Sequence, residues 1–572
     1  MAWLLKTQLV KSIIRWQDRL KLYTYADWIR ENEKFSVEDF AGQPGEEPVG
    51  TFLVVVDWQV DVDILKKLRF TLSSIRAQKN ASWDCILCIT GQHAAEFADS
   101  WGEERADPRI TLLQTQTTDL DSILPQILPH ARARWIIRTR PGDAHSNVLL
   151  NFLASQNGEI VYWDEDVLVR GRRSRAFFKP DWSPELWLSV DLLHCSAIQK
   201  DFASRVVAEG GPAGILPGCL AGAKEIRHIP TVLTHCQAAA WENEDERTAH
   251  ARNAVAYLEL KGVNGAKING RPDGSLRVEW PVPSEKISII IPNKNKFTLL
   301  QRCLESLFLK TAHENYEVII VDDHSTDEDV LDFYQGITQS GKEVRIVEGI
   351  SPFNYSQACN LGAKNATGAY LLFLNNDVEI TGSDWLSELL RFASLAEVGV
   401  VGGKLLYPDQ TIQHAGIVVG LEGHAHHVFL GQSQPGSNVF GAVDWVRNFS
   451  AVTGACMMLR AQVFQEIGGF DESFSLVFND VEICTRAIQI GYRVVYAPDS
   501  SLIHHEGQSR GHYIPREDIL LGEQKLAGTI SGGDPYYNKN LSLAWHVPTF
   551  RRRWEGSSAE RLKNITRYFS KI

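Results

Sequence analysis

From residue 51 onward, short apolar runs alternate with stretches in which apolar residues recur every three or four positions. This alternation is typical of βα units, in which the strands build a mostly parallel sheet and the helices flank it. In the first part of the chain it predicts strands over residues 52–56, 83–90, 110–114 and 135–138, and helices over 64–77 and 122–130.

The same order of elements returns after residue 287. Strands are predicted over residues 287–291, 316–321, 344–348 and 370–374, and helices over 298–309 and 355–365. The two blocks correspond at an offset of about 235 residues, which indicates an internal duplication. The predicted fold class is therefore α/β, with two similar domains in tandem and mostly parallel sheets flanked by helices.

The two copies differ where the strands end. Asp322 and Asp323 follow a strand of the second copy, whereas the corresponding residues 89–90 of the first copy are Ile and Thr. The segment 375–377 reads Asn-Asn-Asp, and the corresponding segment 140–142 reads Arg-Pro-Gly. Open α/β sheets bind ligands at the carboxyl ends of their strands. We therefore expect the chemistry in the second copy and a degenerate first copy, although Asp143 and the acidic triplet 164–166 keep carboxylates close to the same place in the first copy.

The apolar run that ends at Asp377 is the strongest single candidate for chemistry. A buried strand that delivers one carboxylate to a sheet edge suits Mg²⁺ or Mn²⁺, which one or two carboxylates usually hold together with phosphate oxygens and water. The alternative is that Asn376 and Asp377 only turn the chain and cap the helix that begins near Ser383.

Three further polar groups are candidates for a site. Asp322 and Asp323 suit a ribose hydroxyl or a base N–H, unless Asp323 only caps the next helix. Asp480 opens a helix and suits a general base, but the same position also suits simple stabilisation of the helix dipole. His504 and His505 follow a predicted strand at 492–496, and a neutral imidazole there suits the metal of Asp377.

Composition excludes several classes of protein. The net charge of −12 argues against general nucleic-acid binding. Nine scattered cysteines, an odd number, are typical of reduced thiols in a cytosolic protein, and we interpret Cys85 and Cys88 as buried core thiols. No Walker loop or G-x-G-x-x-G follows a strand, which disfavours P-loop kinases and dinucleotide folds.

Both ends of the chain are basic and amphipathic. Residues 1–22 combine apolar positions at helical spacing with lysines and arginines, and residues 551–572 repeat this pattern. No run of about 18 apolar residues occurs, so no membrane span is predicted. We expect a cytoplasmic protein with peripheral contact to an anionic membrane face, the alternative being helices packed on the body with a solvated basic side.

The second copy resembles family 2 glycosyltransferases of the GT-A fold, especially rhamnosyltransferase-like enzymes of O-antigen and other surface polysaccharides. The matching motifs occur in order over about 225 residues. They are residues 288–292 (SIIIP), 321–323 (VDD), 352–356 (PFNYS), 374–377 (LNND), 412–416 (IQHAG), 452–456 (VTGAC), 468–471 (GGFD), 478–481 (FNDV) and 504–506 (HHE). The first copy resembles the companion module of two-domain members through residues 25–31, 163–166 and 177–184.

The resemblance implies a role for each matching residue. Asp480 is implied as the catalytic base, Asp377 as the metal ligand of the family's D-x-D motif, and His504, with His505 as a substitute, as the second metal ligand. The implied nucleotide-sugar residues are Pro292, Asn293, Asp322, Asp323, Asn360, Asn376 and Lys404. The implied acceptor-side residues are His414, Thr453, Gly454 and Asn479. This sequence departs from many relatives at Asn375, which leaves one carboxylate in the motif, and at residues 293–295 (Asn-Lys-Asn). The histidines of segment 423–427 are interpreted either as acceptor contacts or as solvated side chains.

The sequence thus predicts a metal-dependent inverting glycosyltransferase that uses Mg²⁺ or Mn²⁺. Its expected partners are a dTDP-, UDP- or GDP-linked sugar, rhamnose among the candidates, and a saccharide or lipid-linked saccharide acceptor. The alternative is a non-catalytic glycan-binding or scaffold protein of a polysaccharide assembly complex. A nucleotidyltransferase would need a glycine-rich phosphate loop that residues 292–294 do not provide.

The predicted domain organisation has five parts. They are a helical segment 1–50, a degenerate GT-A-like domain 51–240, a helix and hairpin linker 241–284, a catalytic domain 285–530 and a basic tail 531–572.

Overall fold

The computed structural model describes residues 12–14, 17, 22–35, 48–57, 63–80, 82–90, 107–117, 120–210, 214–433, 437–505 and 515–556. The chain divides into two compact units. The first domain comprises residues 23–182 and 186–280, and the second domain comprises residues 281–572 together with 1–22 and 183–185. Most of the predicted basic segments 1–22 and 551–572 lies outside the described residues. Within the described part of the chain, no helix is long and apolar enough to cross a membrane.

The elements between residues 25 and 280 build the first domain around one mixed sheet. The helices are α1 (Tyr25–Asn32), α2 (Ile64–Arg76), α3 (Leu120–Ile127), α4 (Leu149–Ala154), α5 (Pro184–Ser189), α6 (Lys200–Ala208), α7 (Ile215–Gly222) and α8 (Glu244–Leu260). The strands are β1 (Gly50–Asp57), β2 (Trp83–Thr90), β3 (Ile110–Thr115), β4 (Trp135–Thr139), β5 (Ala144–His145), β6 (Ile160–Val169), β7 (Arg172–Phe177), β8 (Ser196–Gln199), β9 (Ile226–Cys236), β10 (Lys267–Gly270) and β11 (Leu276–Glu279). The sheet order is β3-β2-β1-β4-β8-β6-β9-β5, with β7 beside β6, while β10 and β11 form the predicted hairpin.

The second domain repeats this plan with strands of similar length. Its helices are α9 (Phe297–Lys310), α10 (Glu328–Thr338), α11 (Tyr355–Lys364), α12 (Trp385–Ala393), α13 (Ala461–Glu466), α14 (Asn479–Gln489) and α15 (Arg516–Gly532). Its strands are β12 (Ile287–Asn293), β13 (Tyr316–Asp322), β14 (Val344–Glu348), β15 (Tyr370–Leu374), β16 (Val378–Ile380), β17 (Val398–Leu406), β18 (Ile412–His414), β19 (Ile417–Val419), β20 (Ala425–His427), β21 (Ser437–Asn438), β22 (Gly441–Ala442), β23 (Arg447–Asn448), β24 (Cys456–Arg460) and β25 (Arg493–His504). The sheet order is β14-β13-β12-β15-β24-β17-β25-β16.

The two sheet orders match strand for strand, which confirms two tandem α/β domains. The predicted parallel strands form one half of each sheet, and the strands added later pair largely antiparallel. The pairing also refines the alignment of the copies. Gly50 pairs with Trp83 and Trp135 as Ile287 pairs with Tyr316 and Tyr370. Gly50, rather than Phe52, is therefore the counterpart of Ile287.

A buried hydroxyl–carboxylate pair recurs at the same place in both sheets. In the first domain the Thr51 hydroxyl donates to Asp84 at 2.8 Å. In the second domain the Ser288 hydroxyl donates to Glu317 at 2.6 Å. Ser288 and Glu317 are adjacent to the paired residues Ile287 and Tyr316, as Thr51 and Asp84 are to Gly50 and Trp83. The duplication thus extends to a polar contact inside the sheet.

The cores behave as the apolar pattern predicts. Strands β2, β12 and β15 are buried along their whole length. All nine cysteines are buried, Cys85 and Cys88 among them, and none of the nine forms a disulfide bond. Strand β25 is the main departure, because it continues as far as His504 instead of ending near residue 496.

Candidate functional site

A cavity of about 960 Å³ opens in the second domain beyond the carboxyl ends of β12 and β15. Its size is in the range of roughly 300–1,000 Å³ that small-molecule sites occupy. Three parts of the wall matter here, namely the strand-end loops 292–296 and 375–377, the segment 422–427, and the start of α14. This is the strand edge at which the sequence predicts a site.

Asp377 and His504 meet at one end of this cavity. Nε2 of His504 lies 3.0 Å from Oδ1 of Asp377, and both side chains are buried. Val378 pairs with His504 across β16 and β25, which brings the two residues together over a sequence distance of 127. Helix α12 begins at Trp385 with Asp384 at its N-cap, so Asn376 and Asp377 do not cap it.

The hydrogen bonds of His504 favour a cation beside Asp377. Nδ1 of His504 lies 2.9 Å from Oε1 of Gln413, an acceptor, so the ring carries its proton on Nδ1. The Nε2 lone pair then faces a carboxylate oxygen, an arrangement that a cation bound by both atoms would stabilise. The Nδ2 group of Asn375 also lies 3.5 Å from this Nε2. This donor set fits a divalent metal, with Gln413 fixing the tautomer of its imidazole ligand.

His505 takes a different place from the predicted substitute ligand. Its ring Nε2 lies 3.0 Å from Glu379, and Arg302 lies beside the same ring. Only its backbone N–H reaches Asp377, by donating to the carbonyl oxygen at 2.9 Å. The rings of His504 and His505 lie apart because successive residues of an extended chain point to opposite faces, and the role of His505 as a substitute ligand stays a prediction.

Asp480 lines the cavity from the first turn of α14. Its carboxylate accepts hydrogen bonds from the backbone N–H of Gly454, at 3.2 Å, and of Val481, at 2.8 Å. The residue before the helix, Phe478, has a left-handed φ of 65° and also lines the cavity. Left-handed conformations of bulky residues are strained and gather at functional sites.

Tyr355, which is not among the predicted site residues, lies within electrostatic reach of both carboxylates. Burial, the Cys359 thiol and the charges of Asp480 and Asp377 raise the pKa of Tyr355 well above its usual range. Its hydroxyl stays protonated and donates to the carbonyl oxygen of Gly454 at 2.9 Å. Tyr355 therefore holds the Gly454 backbone that in turn contacts Asp480.

A chain of hydrogen bonds links the ends of β12, β13 and β15. Asn376 donates to Asn293 at 2.6 Å, Asn293 donates to the hydroxyl of Tyr334 at 2.8 Å, and Tyr334 donates to Asp322 at 2.8 Å. Asp322 also accepts from the backbone and hydroxyl of Ser325. Asp322 thus stabilises the loop through the chain's own donors, and it is not among the described residues that line the cavity.

The two carboxylate oxygens of Asp323 have different surroundings. Its Oδ2 accepts from Lys294 at 2.6 Å, whereas its Oδ1 is buried without a hydrogen-bond partner among the described residues. The helix after it begins at Glu328 with Asp327 at the N-cap, so Asp323 does not cap it. Lys294 and Lys296, which are not among the predicted site residues, line the cavity and give its wall positive charge.

Three predicted site residues face other parts of the domain. Asn360 exchanges hydrogen bonds with the backbone of Phe470, and Lys404 pairs with Asp444 at 2.8 Å. The ring of His414 is buried and accepts from the N–H groups of Gly416 and Thr453. None of the three residues is among the described residues that line the cavity, and their roles in binding stay predictions.

The other predicted acceptor-side residues do line the cavity. Thr453, Gly454 and Asn479 border it close to Asp480, and Pro292 borders it at the end of β12. Of the histidine segment, His424 and His427 reach the cavity wall. Burial, followed by the neighbouring His426, lowers the pKa of His424 to about 4, so this imidazole is neutral near pH 7.

The corresponding position of the first domain holds an arginine contact. Ala144 pairs with His235 as Val378 pairs with His504, which makes Asp143, rather than Gly142, the counterpart of Asp377. Asp143 is buried 3.3 Å from Nε of Arg140 and accepts from the N–H of Gln237 at 3.1 Å. A carboxylate is therefore retained there, but a guanidinium lies where a metal ion would have to bind.

Several of the missed residues had a weak sequence signal. Lys294 and Lys296 follow a strand end directly, and Tyr355 lies in one of the motifs given above. Gln413 also lies in one of these motifs, but its contact with His504 joins segments 91 residues apart that only the fold brings together. Tyr334 had no sequence signal for its contact with Asp322.

Comparisons with known proteins agree with this geometry. Residues 288–468 match the family model described as Glycosyl transferase family 2. The O-antigen biosynthesis protein RfbC of Myxococcus xanthus is 34% identical over 504 residues, which is 83% of this chain and 39% of that protein. The uncharacterized protein y4gI of Sinorhizobium fredii is 31% identical over 507 residues, 82% of this chain and 56% of that protein.

A further relative matches a shorter stretch of the chain. The N-acetylglucosaminyl-diphospho-decaprenol L-rhamnosyltransferase of Mycobacterium tuberculosis is 26% identical over 231 residues, which is 37% of this chain and 73% of that protein. The chain spans 39% and 56% of the length of the two longer relatives.

Proposed function

Because the second domain of this chain belongs to glycosyl transferase family 2, we propose that the chain is a metal-dependent inverting glycosyltransferase. It transfers a sugar from a nucleotide-sugar donor to a saccharide or lipid-linked saccharide acceptor during synthesis of a surface polysaccharide. The names of the relatives from Myxococcus and Mycobacterium support this class of product, and the latter makes rhamnose a candidate sugar.

One observation carries the proposal. The Asp377–His504 pair and the Asp480 carboxylate line the same cavity, whose volume of about 960 Å³ suits a nucleotide sugar and the end of an acceptor. A pure glycan-binding protein has no need for a histidine lone pair directed at a buried carboxylate.

We assign the divalent ion, Mg²⁺ or Mn²⁺, to Asp377 and His504. When bound, such an ion neutralises charge on the diphosphate leaving group. Gln413 holds the imidazole in the tautomer that exposes Nε2. Two protein ligands leave room for phosphate oxygens and water, as Mg²⁺ sites usually require.

Asp480 is the proposed general base. Its carboxylate is held by two backbone N–H groups and borders the cavity, so it is oriented before an acceptor binds. It takes the proton of the acceptor hydroxyl as that oxygen attacks the anomeric carbon and the bond to the nucleoside diphosphate breaks. Attack from the side opposite the leaving group inverts the anomeric configuration.

The residues around the cavity support a donor side and an acceptor side. Lys294 and Lys296 line the cavity, and their positive charge suits the phosphates of the donor. Thr453, Gly454 and Asn479 lie at the Asp480 side and suit the acceptor. The donor nucleotide is dTDP, UDP or GDP in this proposal.

Release of nucleoside diphosphate from a panel of dTDP-, UDP- and GDP-sugars, with and without Mn²⁺, tests the proposal. We expect turnover with one donor class, and Asp480→Asn and Asp377→Asn each to reduce it by at least about 100-fold. Asp332→Asn, on the exposed side of α10, is the matched control and should leave turnover unchanged. Donor binding without turnover by the wild-type chain, with every acceptor tried, would favour the scaffold alternative.

The two basic termini support peripheral membrane contact, a proposal that rests on the sequence alone. Sedimentation with anionic vesicles compares the full chain with chains lacking residues 1–22 or 551–572. We expect the first deletion to release the protein, and unchanged sedimentation of both shortened chains would refute the contact.

A further inference from the structure

Three potential metal ligands gather in the second domain outside the Asp377 pair. Ligand atoms of Glu422, His426 and His546 all lie within 4.8 Å of one another. Nδ1 of His546 is 2.9 Å from one carboxylate oxygen of Glu422, and Nε2 of His426 is 3.7 Å from the other. Ligands bonded to one ion at about 2.1 Å are roughly 3.0–3.4 Å apart, so small side-chain movements suffice to bind one.

The histidine tautomers suit coordination. Nδ1 of His426 lies 3.1 Å from the backbone carbonyl oxygen of His427, so this nitrogen carries the proton and donates it to that carbonyl. The Nε2 lone pair of His426 is then directed toward Glu422. A metal-binding histidine typically donates its other N–H to a carbonyl or a carboxylate in this way. His546 can bind the ion through Nδ1 once its ring proton lies on Nε2 instead.

The backbone around the three residues is well fixed. Glu422 donates its N–H to the carbonyl oxygen of Leu543 at 2.7 Å, and Phe429 donates to that of His546 at 2.9 Å. The imidazole rings of His426 and His546 stack, with centroids 5.7 Å apart and planes 17° apart. Two segments more than 100 residues apart in sequence thus present their side chains to one point.

We propose that Glu422, His426 and His546 form a second metal site, selective for Zn²⁺ or a similar borderline ion. Two imidazoles and a carboxylate suit Zn²⁺, whereas Mg²⁺ prefers oxygen ligands alone. The side chains of His426 and His546 are 35% and 16% exposed, which leaves a route for the ion and a position for water.

The site lies behind a wall of the cavity. Glu422, His424, Ala425 and His427 border the cavity, and His546 belongs to the segment that follows α15. An ion bound here ties the segment 422–427 to residues 541–550. The site therefore stabilises the shape of the cavity wall and takes no part in sugar transfer.

A second cluster of potential ligands, in the first domain, does not qualify. His194, Cys195 and Cys236 lie equally close together, and all three are buried. Cations adjoin them, because Lys179 pairs with Glu165 beside these thiols and the Arg140 guanidinium contacts His194. Nearby guanidinium and ammonium groups oppose the binding of a further cation at this cluster.

Zinc titration of the full chain, freed of metal with a chelator, tests the site. A chromogenic chelator in competition reports the number of bound ions and their affinity. We expect His426→Ala and His546→Ala each to weaken one Zn²⁺ equivalent by more than about tenfold. Asp377→Asn should keep that equivalent, which separates this site from the one proposed for sugar transfer. His130→Ala, an exposed histidine of the first domain, is the matched control.

Thermal unfolding gives a second readout. Zn²⁺ should raise the Tm of the wild type, of Asp377→Asn and of His130→Ala, and should leave that of His426→Ala unchanged. Equal Tm values of wild type and His426→Ala without metal show that the variant folds. Wild-type zinc stoichiometry and affinity in both His426→Ala and His546→Ala would overturn the proposal.

Discussion

Nε2 of His504 lies 3.0 Å from Oδ1 of Asp377, and the Gln413 amide holds the opposite side of the same ring. The pairing of β16 with β25 sets the first contact, and β18 supplies Gln413 for the second. Three elements thus fix one imidazole, which makes Gln413 a positioning residue for the proposed metal.

Replacement of this glutamine tests that role. Gln413→Leu leaves Nδ1 of His504 without its acceptor, so the other tautomer becomes populated and its Nε2 proton faces the metal. We expect about 10- to 100-fold weaker Mn²⁺ binding, measured by calorimetry with a nucleoside diphosphate present. Turnover at saturating Mn²⁺ should fall much less than the affinity. Gln335→Leu, on the exposed side of α10, should behave as wild type, and wild-type Mn²⁺ affinity in Gln413→Leu would refute the assignment.

A lysine in the cavity gives a prediction for donor binding. Lys296 precedes α9 with a left-handed φ of 59°, and it lines the cavity. Lys296→Asn removes the charge but retains a residue that tolerates this backbone conformation. We expect the KM for the nucleotide sugar to rise about three- to tenfold at low salt, and the difference to shrink as salt screens the charge. Lys539→Asn, at an exposed position, should not change KM, and a salt-independent effect of Lys296→Asn would contradict an electrostatic role.

The buried carboxylate of Glu317 predicts a pH-dependent stability. Burial alone would raise its pKa, but hydrogen bonds from Ser288, Thr367 and Arg345 outweigh burial and lower the pKa from 4.5 to about 2. The unfolded chain therefore binds more protons than the folded chain between these pH values. The stability that Glu317 contributes is complete above about pH 4.5 and is lost as the pH falls toward 2.

Urea unfolding of Glu317→Gln tests whether the stability contributed by Glu317 is lost as the pH falls. At pH 7 we expect the variant to lose about 2 kcal/mol, because a charged acceptor of several hydrogen bonds becomes a neutral one. The difference from wild type should narrow as the pH falls below 4.5, where Glu317 of the unfolded wild-type chain begins to be protonated while that of the folded chain stays ionised. Glu314→Gln, which is exposed, should show no pH-dependent difference. A difference in unfolding free energy between wild type and Glu317→Gln that stays constant down to pH 3.5 would contradict the lowered pKa.

How much of the fold can be predicted depends on how far apart in the sequence the contacting residues lie. Hydrophobic periodicity reports which faces are buried, so the first strands of both domains and their repetition were visible in the sequence. The antiparallel half was not, because β24 joins β15 through residues about 85 positions apart, such as Leu372 and Met458. Register between such distant strands depends on pairing that local pattern does not encode.

The same difference between local and long-range contacts applies to the candidate site. The sequence predicted Asp377, Asp480 and His504, since each lies at the end or start of an element where ligands bind. It could not separate His504 from His505, because the direction of each side chain depends on where β25 ends. It also could not show that Lys404 is paired with Asp444, a residue 40 positions away. Polar residues satisfied by distant partners cannot be distinguished in the sequence from those that bind a ligand.

Two glycines near the site separate the effect of close packing from that of backbone conformation. Gly416 and Gly431 both have positive φ, 101° and 71°, so either Gly→Ala change strains the backbone. A Cβ at Gly416 would lie 2.2 Å from the ring of Phe449, whereas one at Gly431 would meet nothing within 4 Å. Since Gly416 follows the strand that carries Gln413 and His414, displacement of the Phe449 ring would disturb the residues behind the metal pair.

We therefore expect Gly416→Ala to destabilise the second domain by about 3 kcal/mol and Gly431→Ala by about 1 kcal/mol, measured as shifts in urea unfolding. Gly416→Ala should also weaken Mn²⁺ binding, because the backbone next to Gln413 moves. The double variant Gly416→Ala with Phe449→Leu relieves the contact and should recover part of the lost stability. Equal losses in the two single variants would mean that backbone strain alone, and not the Phe449 ring, requires glycine at position 416.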